Sequence, residues 1–268
     1  MNKIKIQKID NIPENLEKIK SAPKELYFQG NLELLDKPII AIIGTRRPSQ
    51  YSRNITYSLA NKLSKSGFAI ISGGAMGTDI LAHKGAMPNT ISVMANSLDI
   101  IYPKINSSTI KEMAEKSLLI SEYYENITAH PKRFIHRNRL IIGLADIVIV
   151  IEADSKSGSS QSMRIAKQMK KEIFVLPHRI GESTETNLYL ENMEAQAIFD
   201  IDIFVENMKT LFGVKEKIEN NKNGDSILDF CKISPTYEEA FGKFGNKLFE
   251  YELDGKIEIL NGCVVVTS

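Results

Sequence analysis

The sequence predicts an α/β protein: a mainly parallel sheet with helices on both faces, then a small C-terminal domain of helices and a hairpin. Three observations point there. Six short apolar runs, rich in Ile, Val and Leu, recur between residues 39 and 177. Stretches of helical character separate most of them. After about residue 211 the chain turns polar, and beyond 225 its character changes again. Runs that are apolar at every position suit strands buried on both faces, and strand–helix alternation produces parallel crossovers.

The chain has 268 residues, 43% of them hydrophobic, enough for one large core and a small second domain. Lys and Arg number 34 against 33 Asp and Glu, so any nucleic-acid site must be a local basic patch. The start, "MNKIKIQKIDNIPENLEKIK", is mixed and charged rather than a secretory leader, and no apolar run is long enough to span a membrane. Cys231 and Cys263 lie far apart and read as small apolar fillers of a reduced, cytoplasmic protein.

Residues 1–38 read as a short N-terminal extension with proline brakes at Pro13 and Pro23. Within it "ELYFQG", Glu25–Gly30, resembles a protease-tag scar. Lys24 stands where such a site carries its usual glutamate, and the stretch makes sense as an apolar strand. Residues 39–211 form the main domain. "IIAII" (Ile39–Ile43) is its first buried strand. In the helix after it, Ile55, Leu59 and Leu63 share one face, Ser52 is the expected cap and Gly67 the stop. "FAIIS", "TISVM", "SLLISE", "ADIVIVIEA" and "EIFVLP" supply the remaining strands. Residues 212–225 read as a linker. Residues 226–268 read as a winged-helix-like domain: helices interrupted at Pro235, then two strands around Asn261-Gly262, a strong hairpin signal.

Loops at the carboxyl ends of strands in such a sheet line a common crevice. Three of them have unusual composition. "GTRRPSQYSR" carries Gly44, Thr45, Arg46, Arg47 and Ser49; "SGGAMGTD" carries Ser72, Gly73, Gly74 and Gly77; "SKSGSS" carries Ser157, Gly158 and Ser159. Bare backbone N–H groups at the start of a helix suit a phosphate, so the glycine corner is expected to cradle one. A bland reading stands beside this: glycines also serve a tight corner for its own sake. Asp79, in the first turn of the next helix, is expected to organise that loop by accepting N–H bonds, and His83 to be a packed or capping histidine.

A fourth stretch, "HPKRFIHRNRL", holds Lys132, Arg133, Phe134, Arg137, Asn138 and Arg139. In a helix, Phe134 and Arg137 share a face, as do Arg133 and Arg137. Basic charge beside one aromatic ring is a minimal kit for single-stranded nucleic acid. The bland alternative is a solvated helix start, with Phe134 in the core and Arg139 in a structural ion pair. The first loop is not a G-x-x-x-x-G-K-[ST] phosphate loop, and the glycine corner has the wrong spacing for a G-x-G-x-x-G dinucleotide loop. The four histidines form no ligand cluster. No cofactor, metal or catalytic pair is expected.

Gly44-Thr45-Arg46-x-x-Ser49, Ser72-Gly73-x-Ala75-x-Gly77-x-Asp79, Phe134-x-x-Arg137-Asn138-Arg139 and Ser157-Gly158-Ser159, in that order, resemble the DNA-processing protein A (DprA/Smf) family. "SLDIIYP" and "ETNLYLENMEAQ" resemble it too. The resemblance covers most of the chain. It implies an extended Rossmann-type domain that binds single-stranded DNA, forms a homodimer and loads RecA recombinase in natural transformation, without being an enzyme. It also implies that Arg46 and the glycine corner each take a phosphate. Lys132 and Arg137 then flank the groove, with Phe134 under a base. Where many members have glycine, this chain has Glu185 and Met193.

A rival reading is a nucleoside-monophosphate-binding enzyme that resembles the lysine-decarboxylase-like phosphoribohydrolases. Its usual P-G-G-x-G-T-x-x-E motif has no counterpart glutamate in "SGSSQSMR". A third is a nucleotide-sensing module. A dimer interface is expected in "AIFDIDIFVENMKTLF", with Ile203 and Phe204 as its test positions.

Overall fold

A computed structural model describes residues 5–214, 226–231, 235–260 and 262–267. The chain divides into two units, residues 1–217 and 218–268. The first unit begins with β1 (Gln7–Lys8), α1 (Glu14–Glu17), β2 (Tyr27–Gly30) and β3 (Ile39–Ile43). It continues through α2 (Gln50–Lys65), β4 (Ala69–Gly73), α3 (Thr78–Ala86), β5 (Thr90–Val93), α4 (Ser107–Lys116) and β6 (Leu118–Ser121). Next come α5 (Pro131–Leu144), β7 (Ile147–Val150), α6 (Gly158–Gln168), β8 (Glu172–Val175), α7 (Thr184–Glu191), β9 (Gln196–Ala197) and α8 (Ile201–Phe212).

The nine strands form one sheet in the order β1-β2-β6-β5-β4-β3-β7-β8-β9. All pairs from β6 through to β9 are parallel, while β1 and β2 add antiparallel at one edge. Thus the first 38 residues supply two strands of the main sheet, and "YFQG" is β2, paired with β6. Every residue of β3 is buried, and its side chains alternate between two cores. Ile39, Ala41 and Ile43 meet residues of α1, α5, α6 and α7. Ile40 and Ile42 meet those of α2, α3 and α8 on the other face. A third cluster gathers Ile110 and Met113 of α4 with Tyr27 and Leu119.

The cap of α2 is Ser49 rather than the expected Ser52: the Ser49 hydroxyl accepts the Ser52 N–H. A capping oxygen serves an N–H two or three residues further on, so the serine inside the first turn is the recipient. Gly67, with φ +100°, ends the helix as expected.

In the second unit, α9 (Ser226–Cys231), α10 (Tyr237–Phe244) and α11 (Lys247–Leu253) precede the antiparallel hairpin of β10 (Ile257–Leu260) and β11 (Cys263–Val266). Thr236 and Glu239 form a reciprocal capping box at the start of α10. Ile227, Cys231, Ala240, Leu248, Ile257 and Val264 make a small core of its own. Asn261 and most of the expected linker, from 215 to 225, lie outside the described residues.

Candidate nucleic-acid interface

Strand order reverses at β3. Its neighbour β4 follows it in sequence, whereas β7, on the other side, comes much later. The loops leaving β3 and β7 therefore part company, and an open crevice of about 630 Å³ lies between them at the carboxyl ends of the strands. Gly44, Thr45 and Arg46 line it from the β3 loop, Ala75 from the loop after β4 and Asp79 from α3. Phe134, Arg137 and Asn138 line it from α5, and Lys156, Ser157, Gly158 and Ser159 from the loop before α6.

Backbone bonds hold the first loop in place. Thr45 N–H donates to Glu152 O at 2.9 Å, and Thr78 N–H donates to Thr45 O at 3.1 Å. Ser49 N–H donates to the Glu152 carboxylate at 3.0 Å. The starts of α5 and α6 both border the crevice, capped by His130 and Ser157. Their partial positive charges add to the site's preference for anions.

Phe134 lies among cations. The Arg46 guanidinium carbon is 5.5 Å from its ring centre and that of Arg137 is 5.9 Å, while the Tyr102 ring stands 6.0 Å away. Arg46 is exposed, so its guanidinium is available to a ligand. Arg137 is only 3% exposed; it donates to Val93 O, and its Nε–H has no hydrogen-bond partner. Burial lowers its pKa to about 10, partly offset by the nearby Asp79 and reinforced by Arg46. Burial raises the Asp79 acid to about 6 against the opposing pull of Arg137, the Ser72 hydroxyl, the Ala75 N–H and Arg46. His83 is fully buried between Thr90 Oγ1 at 2.7 Å and Gly73 O at 2.9 Å, and burial holds its pKa down to about 4.

Several expected site residues have a structural role in the fold. Gly73 leaves room for Arg137: a Cβ built there would lie 1.9 Å from a guanidinium nitrogen. Gly77 has φ +83°, and a Cβ on it would sit 2.5 Å from the Arg46 carbonyl. A Cβ on Gly74 would meet Met94 at 3.2 Å. None of these three glycines is among the crevice-lining residues, and a Cβ on any of them would meet protein atoms. Ser72 is buried and donates to Ile42 O. Arg139 is buried in a two-point pair with Glu122, Nη1 donating at 2.8 Å, and its Nε donates to Ser21 O. That was the bland reading for this residue. Arg133 donates to Thr128 O at 2.6 Å and lies over the Tyr123 ring. Arg47 and Lys132 are exposed and outside the lining.

The crevice also recruits residues not anticipated as ligands: Lys156, Tyr102, His130 and Gln161. Lys156 directly precedes the serine–glycine run, and Tyr102 lies in "SLDIIYP", so both had a local signal. His130 before Pro131 fits a helix start, since its Nδ1 accepts the Lys132 N–H at 3.3 Å. Gln161 had no sequence signal.

A family model described as DNA recombination-mediator protein A matches residues 3–209. The chain belongs to this family. DNA processing protein DprA of Streptococcus pneumoniae is 35% identical over 178 residues, which is 64% of this chain and 61% of that protein. Protein Smf of a Synechocystis strain is 35% identical over 173 residues, 62% of this chain and 44% of that protein. The matched part thus spans roughly half of these curated DprA and Smf relatives. Among solved structures, DNA processing protein A from Helicobacter pylori, described for its single-stranded DNA binding mode, superposes with a TM-score of 0.77. It is 44% identical and covers 78% of this chain and 98% of its own. DprA from S. pneumoniae superposes with a TM-score of 0.69 at 31% identity, covering 75% of this chain and 73% of its own.

Proposed function

We propose that the chain binds single-stranded DNA through the β3–β7 crevice and acts as a recombination mediator rather than as an enzyme. The observation that carries this is the stack of Arg46, Phe134 and Arg137. Guanidinium groups attract phosphates while an aromatic face accepts a base, and a base with π-faces can stack there whatever its sequence. Family membership and the H. pylori relative support the same ligand. The phosphoribohydrolase reading is not favoured, because the loop from Ser157 to Arg164 brings no carboxylate to the crevice.

In this reading the protein protects an incoming strand in the cytoplasm and hands it to a RecA-type recombinase. It works as a homodimer, since one crevice offers too few phosphate contacts for tight binding at cellular salt, and linking two raises avidity by about 10² to 10⁴. The outer face of α8 supports the dimer. Phe199, Ile203 and Leu211 are exposed there beside a shallow groove over β8 and β9.

The test is fluorescence anisotropy with labelled oligo(dT) and with a duplex of equal length across a salt series. Preferential binding of the single strand, weakening steeply with salt, is the expected result. Equal affinity for both forms, or no salt dependence, rejects the reading. Strand exchange by RecA with and without the protein tests the mediator step.

A further inference from the structure

Asp79 is the one carboxylate among the described residues that line the crevice. A buried negative charge is an odd neighbour for a phosphate. The Ser72 hydroxyl and the Ala75 N–H, both neutral, are the hydrogen-bonding groups that favour its charged form. Arg137 acts on it through space, but no ion pair joins the two among the described residues. The guanidinium is turned to Val93 O, and its Nε–H is left without an acceptor. Arg137 and Asp79 therefore share one floor as a loose couple with little net charge.

We propose that single-stranded DNA binding at this crevice is coupled to the uptake of one proton from solvent by Asp79, so that the occupied site holds Arg137 beside a neutral acid. The proposal rests on the single-strand reading above. A phosphate drawn to Arg137 brings a second negative charge toward a carboxylate that is itself only 9% exposed. Two like charges sharing one site disfavour the ionised acid, and protonation relieves the repulsion. By linkage, a ligand that raises a group's pKa binds more tightly where that group is protonated. Burial already holds Asp79 near 6, so the proton is within reach close to neutral pH.

The other groups around Asp79 do not supply this effect. His83, one turn further along α3, is kept neutral by burial. Arg46 and Lys156 are cations on the loops after β3 and β7. His130, at the start of α5, is the histidine among the described lining residues, so it is the control.

Oligo(dT) is the probe, because thymine does not titrate between pH 5 and 8. Its Kd is measured across that range at fixed ionic strength, and proton uptake is read by calorimetry in two buffers of different ionisation heat. For the wild-type protein, Kd rises about sevenfold between pH 5.5 and 8 if the bound-state pKa is one unit higher, and calorimetry shows net proton uptake. Asp79→Asn loses the slope and at pH 8 binds as tightly as the wild type does at pH 5.5. His130→Gln keeps the slope. Tight wild-type binding with a flat profile and no proton uptake overturns the coupling alone, as does an Asp79→Asn protein that keeps the wild-type slope. Should that variant fail to fold, wild-type calorimetry decides. A folded wild-type protein that binds no oligo(dT) at any pH rejects the single-strand reading, and the coupling with it.

Discussion

The guanidinium of Arg137 occupies the space that a side chain on Gly73 would need. The glycine corner after β4 thus serves the basic crevice indirectly, by letting a buried arginine lie flat against the backbone. Gly73→Ala puts a methyl group 1.9 Å from a guanidinium nitrogen, and the flexible arginine tip yields more readily than the strand. The expected outcome is a loss of about 1–2 kcal/mol in stability by denaturant titration, together with weaker DNA binding. Wild-type affinity in this variant would show that the position of Arg137 does not matter. Gly74→Val is a poorer probe of the corner, because it strikes Met94.

Arg46→Ala removes an exposed cation from the crevice mouth and leaves the core intact. Its melting temperature should stay at the wild-type value while affinity for oligo(dT) falls. The slope of log K against log salt should shrink by about 0.7, the value for one phosphate contact on a single strand. An unchanged slope would place Arg46 outside the contact.

Arg139→Ala should behave in the opposite way. It strands the partly buried Glu122 carboxylate and leaves Ser21 O without its donor, so stability should fall by about 3–5 kcal/mol. The folded fraction should bind DNA at wild-type strength, as checked by anisotropy below the melting transition.

Ile203→Asp should give a folded monomer with weaker DNA affinity, measured by light scattering and anisotropy, because Ile203 is 63% exposed on α8. Phe204 does not serve this test. It is 6% exposed and packs edge-on against Phe174 at 5.0 Å, so a charge there unfolds the domain.

Stability against acid carries two opposed slopes. Burial holds His83 down to about 4, so the unfolded chain takes this proton first and stability falls as the pH drops from about 6.5 to 4. Asp79 is held up to about 6, so here the folded chain takes the proton first, and stability rises as the pH drops from 6 to 3.8. Each shift corresponds to about 3 kcal/mol, so these two contributions nearly cancel between pH 4 and 6. Asp79→Asn should expose the histidine slope alone in denaturant midpoints taken across that range.

The sheet was legible in the sequence because its strands are apolar at every position, and local periodicity needs no knowledge of distant residues. Ile39–Ile43 matches β3 residue for residue, and the three polar loops do follow strands that end at one edge. Loops at the carboxyl ends of strands were enough to bring Arg46 and Ser157–Ser159 together at one crevice, and the family resemblance added Phe134 and Arg137. The tertiary structure decided which basic residues face a ligand and which are consumed internally. Arg137 and Arg139 lie two apart on one helix, yet one reaches the crevice floor beside Gly73 and the other is paired with Glu122. The purpose of Gly73 was hidden for the same reason: an absent side chain shows that something comes close, and only the packed fold shows that it is a guanidinium from α5.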